Sequence, residues 1–211
     1  MNKIKTCTER RSRAVVPVAL ALLAALATSA CGGDEQPAQT SQAADAIGNG
    51  VDRAFIAEMV PHHESAVEMA KVASERAERP EIKQLAKDIV ASQNAEITTM
   101  ARIDKGLAAG GVKPGELGMA MHEMKSADMD AETLRDARPF EREFIDMMVP
   151  HHQDAIKMAG VELEKGQSGE LKQVAKDIVG AQAKEIREMN GWRTDWYGKP
   201  SPAGGVPKDE V

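Results

Sequence analysis

Apolar residues recur every three to four positions along four long stretches of the chain, about 51–78, 81–105, 139–165 and 169–197. That period predicts amphipathic helices rather than strands. Arg79-Pro80 and Gly166–Gly169 are short interruptions between stretches, and short interruptions join antiparallel helices. Gly106 to Gly118 is a glycine-rich connection between the two pairs, leading into a Met-rich segment, Met119 to Arg135, that is expected to form a short fifth helix. The pattern therefore predicts an all-α fold of two helical hairpins.

The hairpins are copies. Phe55–Ala70 (FIAEMVPHHESAVEMA) matches Phe144–Ala159 (FIDMMVPHHQDAIKMA), and AKDIVASQNAEITTM from Ala86 matches AKDIVGAQAKEIREM from Ala175, both at an offset of 89 residues. Duplication implies a four-helix bundle of about residues 51–197 with a pseudo-two-fold axis, its repeats at about 51–105 and 139–197. On a wheel at about 100° per residue, Phe55, Ile56, His62, His63, Ala66, Met69 and Ala70 cluster around Met59. Every one of these positions is identical in the second copy, as Phe144, Ile145, Met148, His151, His152, Ala155, Met158 and Ala159. Positions that differ, such as Glu64/Gln153, Ser65/Asp154 and Glu68/Lys157, point away from that stripe and are expected to face solvent, as are Pro61 and Pro150. A proline frees the carbonyl four residues earlier, here Ala57 and Asp146. With the register kept on both sides, the helices are expected to run through their prolines with a bend.

The stripe contains four of the five histidines. Imidazole binds transition metals and titrates near neutral pH. Adjacent histidines lie about 100° apart on a helix, so neither pair can chelate one ion as an i, i+4 pair does. A site must be built between helices, either as one imidazole from each helix in two sites or as four at the pseudo-axis. Met59 precedes His63, and Met148 precedes His152, by one turn. In the second blocks, Leu85, Gln93, Glu96 and Met100 share the face of Ile89, which makes Glu96 and its equivalent Glu185 inward carboxylates that need partners. Direct ligation by Glu96 and Glu185, and plain hydrogen bonds to neighbouring histidines, are both open readings. Imidazole with thioether favours copper, Cu(I) above all. The fifth histidine, His122, lies among Met119, Met121, Met124 and Met129, a segment that reads either as soft ligands or as packing.

The termini add a location. Lys3, Lys5, Arg10, Arg11 and Arg13 precede an apolar run, Ala14 to Ala27, too short for a membrane-spanning helix, and Thr28-Ser29-Ala30-Cys31 follows. Residues 1–30 read as a signal peptide, exported by the general or the twin-arginine route, and Cys31 as a lipidated cysteine that anchors the chain to the outer face of a bacterial cell membrane. Residues 31–50 read as a flexible tether and 198–211, with three prolines and three glycines, as a disordered tail. Cys7 would be removed and Cys31 acylated, leaving no thiol for a disulfide or a metal. Removal of residues 1–30 takes five basic residues and one acidic residue from a chain of net charge −6, which leaves −10. Such a chain lacks the basic stripe that nucleic-acid binding needs.

The two blocks, F-[IL]-x-x-M-[IV]-P-H-H-x-x-A-[IV]-x-M-A and A-x-x-I-[IV]-x-x-Q-x-x-E-I-x-x-M, resemble the domain-of-unknown-function 305 family over essentially all of residues 51–197. The resemblance implies a ferritin-like helical fold and, for some members, copper binding and copper tolerance in the periplasm. Relatives often have Gly-x-x-Phe-Asp before the second block, where this chain has Ala137-Arg138-Pro139-Phe140-Glu141.

Three functions follow as expectations. The first is a membrane-anchored metal-binding protein, a copper buffer or chaperone with a copper-handling protein partner, using His62, His63, His151, His152, Met59, Met148, Glu96, Glu185, His122, Met121 and Met124. The second is a ferritin-like metalloenzyme such as an oxidase. Against it, no Glu precedes any of the four paired histidines by three residues, the spacing that di-iron sites use. The third is a structural or partner-binding helical module with core histidines. No nucleophilic constellation is visible, and no enzymatic activity is expected.

Overall fold

The computed structural model describes residues 47–119 and 131–208. The expected signal peptide, the lipidated Cys31, His122, Met121, Met124 and Met129 lie outside the described residues. So does most of the expected tether.

Among the described residues there are five helices: α1 (Gly50–Arg76), α2 (Pro80–Ala109), α3 (Ala131–Arg135), α4 (Phe140–Lys165) and α5 (Gly169–Tyr197). There is no strand among the described residues. The α1/α2 and α4/α5 hairpins meet chiefly along α1 and α4, with lesser contact between α2 and α5; α3 packs on α1 and α4. No described helix is long and apolar enough to cross a membrane.

The eight duplicated stripe positions are buried in both copies, at the α1/α4 seam. Phe55, Met59, Met69, Phe144, Met148 and Met158 are among the largest wholly enclosed side chains. Both prolines lie inside continuous helices, as expected. Pro61 is exposed, but Pro150 is buried, and so are Gln153 and Asp154. The expectation that these second-copy positions face solvent is therefore corrected; at Gln153 the C-terminal segment supplies the cover.

The expected disordered tail is also corrected, for residues 198–208. Gly198 ends α5 in the left-handed conformation (φ 79°), which suits a residue without Cβ and turns the chain back. Arg193 then bridges Asp146 of α4 (2.7 and 2.8 Å) and the carbonyls of Lys199 and Pro200. Gln153 donates to the carbonyls of Ala203 and Gly205, and Asn190 to that of Gly204. Composition argued for disorder, but these side-chain donors satisfy the strap's main chain, and Ala203 and Val206 rest on the core.

The tether also stops earlier than residue 50. Asn49 caps α1, accepting from the Val51 and Asp52 amides while Asp52 accepts from Asn49 N–H. Asp52 does more: its carboxylate accepts from the main-chain amides of Gln167 (3.1 Å) and Ser168 (2.8 Å), in the turn of the other hairpin. Glu141, its equivalent by the 89-residue offset, accepts from Glu78 (2.7 Å) and Arg79 (3.2 Å), the equivalents of Gln167 and Ser168. Each half thus places one carboxylate on the turn of its twin. Burial works to raise the Glu141 pKa, but its amide partners and Arg79 outweigh it and hold the carboxyl below the ordinary range. Arg79 also lies over the Trp196 ring at 4.0 Å, a cation–π contact between the first turn and α5.

Candidate metal centre

The α1/α4 seam brings all four paired histidines together. His62 and His151 meet ring to ring, with centroids 3.7 Å apart and planes tilted by 36°. His63 and His152 flank them, each 6.4 Å from its chain neighbour. The order is His63, His62, His151, His152, symmetric about the seam. This follows from the adjacent spacing: the two residues of each pair point to either side of the stripe, so the facing helices meet through one histidine of each pair and leave the other outside that contact.

The carboxylates lie at the ends of the row. His63 Nε2 is 2.7 Å from Glu96, and His152 Nε2 is 2.6 Å from Glu185. A carboxylate only accepts, so Nε2–H of each imidazole donates, and in a neutral ring Nδ1 then carries the lone pair. Glu96 and Glu185 thereby orient the rings in the way a carboxylate orients a metal-binding histidine from behind. The Nδ1 atoms of His63, His151 and His152 are buried and have no hydrogen-bond partner among the described residues. An orphaned buried acceptor is costly, and a bound cation would relieve it.

Protonation is suppressed at the centre of the row. Burial, then the nearby His63 and His152, push His62 down to about 3. Burial, then His62, His152 and His63, hold His151 well below the usual histidine range, with a main-chain hydrogen bond involving His62 opposing. Neutral imidazole is the ligand form. Met59 and Met148 are wholly buried on the same stripe, whereas Met147 and Glu58 are only partly buried. Burial raises the Glu58 carboxyl. Gln93 and Gln182 are buried with their Oε1 atoms lacking a hydrogen-bond partner among the described residues. The sequence marked their inward face but not this.

Among the described residues no three His, Cys, Asp or Glu side chains already surround one point in the manner of a metal site. The donors that fit a metal are thus imidazole nitrogens in low number with buried thioethers on the same helical stripe, a set suited to a soft ion of low coordination number. It does not suit an oxygen-rich cage.

Fold and site together define an all-helical protein with a buried imidazole cluster at the seam between its two hairpins. The sequence profile of the family called "Domain of unknown function (DUF305)" matches residues 21–104, 108–193 and 141–209. The chain belongs to that family. Among solved structures it is similar to CopM in the Cu(I)-bound form, at 36% identity and a TM-score of 0.59, covering 70% of this chain and 98% of that one. CopM in the Cu(II)-bound form matches at 37% identity and a TM-score of 0.60, over 69% of this chain and 97% of that one. A putative secreted DUF305 protein from Streptomyces coelicolor is 25% identical with a TM-score of 0.60, over 75% of this chain and 98% of that one. An uncharacterized protein, L153, of Acanthamoeba polyphaga mimivirus is 44% identical over 52 residues, which span 25% of this chain and 34% of that relative's length.

Proposed function

We propose that this protein binds copper at the α1/α4 seam and acts as a buffer or carrier, without turnover, from a lipid anchor on the outer face of a bacterial cell membrane. The observation that carries the reading is the row of four buried histidines whose Nδ1 lone pairs, at His63, His151 and His152, have no hydrogen-bond partner among the described residues. Glu96 and Glu185 hold His63 and His152 from behind, and Met59 and Met148 stand one turn away as thioether donors. Similarity to CopM, solved with Cu(I) and with Cu(II), supports copper over other metals. Softness of the donor set favours Cu(I). Suppressed protonation at His62 and His151 keeps those rings competent down to acidic pH. The lipid anchor and export rest on the basic region, the apolar run and Cys31.

The test is a titration of the full chain, carrying Cys7→Ala and Cys31→Ala to remove thiols, with Cu(I) under anaerobic conditions and with Cu(II) and Zn(II). A variant with His62, His63, His151 and His152 all changed to Ala is titrated beside it. Circular dichroism confirms its fold, and a Met59→Leu/Met148→Leu variant, which keeps the packing volume, tests the sulfur donors. Equal affinity of the parent and the histidine variant sinks the proposal. Oxygen consumption by the iron-loaded protein would favour the oxidase reading instead.

A further inference from the structure

The duplication makes an internal control of every surface. Between α1 and α2 runs a groove of about 370 Å³ lined by Glu64, Val67, Glu68, Lys71, Asn94 and Ile97. Their equivalents at the 89-residue offset are Gln153, Ile156, Lys157, Gly160, Ala183 and Ile186. In the second half this surface is covered. Gln153, Ile156, Ala183 and Ile186 are buried there, and Gln153 Nε2 holds the strap Ser201–Val206 on this face by donating to its Ala203 and Gly205 carbonyls. In the first half, Glu64, Glu68, Lys71 and Asn94 are exposed and Ile97 is half-exposed. The same helix pair thus carries a strap in one copy and stands open in the other.

Side-chain chemistry says what the open copy accepts. Gln153 is an amide that donates to strap carbonyls, whereas Glu64, in its place, is a carboxylate that only accepts. A strap laid as in the second half would set two carbonyl oxygens against that carboxylate, which repels them. Glu68 is already paired with Lys71 at 2.7 Å, so Glu64 is the uncompensated charge over a floor of Val67 and Ile97. A donor, cationic for preference, must therefore stand where the strap of the second half presents carbonyls.

We propose that this groove docks an extended segment of another protein, one that carries a lysine or arginine among small residues and lies across α1 and α2 as Ser201–Val206 lies across α4 and α5. Small residues lie flat over Val67 and Ile97, and the cation reaches Glu64. The inference stands on the duplication and is independent of metal binding.

The probe is a peptide of residues 199–208 with Gly205→Lys, the residue whose carbonyl meets Gln153 in the second half. It is titrated against the ¹⁵N-labelled full chain, beside the unchanged peptide. The expected result is amide shifts at Glu64–Lys71 and Asn94–Ile97, binding about tenfold tighter for the lysine peptide, and weakening by salt. Glu64→Gln, an exposed change that spares the fold, should abolish or reverse the preference. No shift in this groove at millimolar peptide would overturn the proposal. So would a preference that survives Glu64→Gln, or shifts confined to Gln153–Lys157, which would report exchange with the chain's own strap.

Discussion

Replacing Glu162 by glutamine isolates one buried acid. Glu162 lies wholly buried in α4 beside Asp52, itself wholly buried on the Gln167 and Ser168 amides. Burial, then the Asp52 carboxylate, push the Glu162 pKa up to about 9, with Lys172 opposing weakly. The folded protein therefore holds a proton that the unfolded chain releases near 4.5. A raised acid pKa favours folding most below the unfolded value, and that advantage is lost as pH rises toward the folded one. His62, lowered to about 3, acts oppositely: its share is complete above the ordinary histidine value of 6.5 and is lost as pH falls. Above neutrality only the acid contributes. The expected slope is a loss of about 1.4 kcal/mol per pH unit, or roughly 2 kcal/mol from about pH 7 to about 8.5. Glu162→Gln removes the titration and leaves a neutral side chain beside Asp52, so the variant should be flat over this window and more stable at its upper end. Urea unfolding followed by far-UV circular dichroism, at half-unit pH steps, reads the effect. A parent protein of constant stability over that window, or a variant that keeps the slope, would refute the reasoning.

Glu141→Ala strips the carboxylate from the Glu78 and Arg79 amides and should cost about 1–3 kcal/mol in urea unfolding, where an exposed carboxylate such as Glu64→Ala costs little. Truncation after Gly198 removes Ala203 and Val206 from the core, leaves Gln153 without its carbonyls, and frees Arg193 from two of its acceptors. A loss of roughly 2–4 kcal/mol is expected in the same assay, with near-UV changes at Trp192 and Trp196. Glu96→Ala and Glu185→Ala should each weaken copper binding about 10–100-fold while leaving the donor set complete, as removal of an orienting carboxylate does. Abolition of binding by either single change would instead make that glutamate a ligand.

Much of the architecture was legible because it rests on period and repetition. The 3.6-residue rhythm, the breaks at Arg79-Pro80 and Gly166–Gly169, and the shared stripe place the hairpins and the buried face without any tertiary information. The identity of Glu96 with Glu185, on an inward face with no internal partner, was enough to expect histidine neighbours. Less legible was everything that depends on how one half meets the other. The reading of Gly198–Val211 as disordered weighed prolines and glycines and could not see Gln153 and Arg193 waiting as donors. Asp52 and Glu141 are not marked by any local pattern, because each acts on a turn of the other half, although their shared offset from those turns is a signal in the sequence.

Residue pattern alone sets the local and periodic features: helices, their breaks, the inward stripe, and the rule that adjacent histidines must share their ligand work with another helix. Helical geometry alone enforces these. Tertiary structure decided which helix supplies the partner, the 3.7 Å meeting of His62 and His151, and the suppression of their protonation. It also decided that two equal surfaces meet unequal fates, one strapped and one open. Those outcomes turn on distance and burial between residues far apart in the chain, which no periodic pattern encodes.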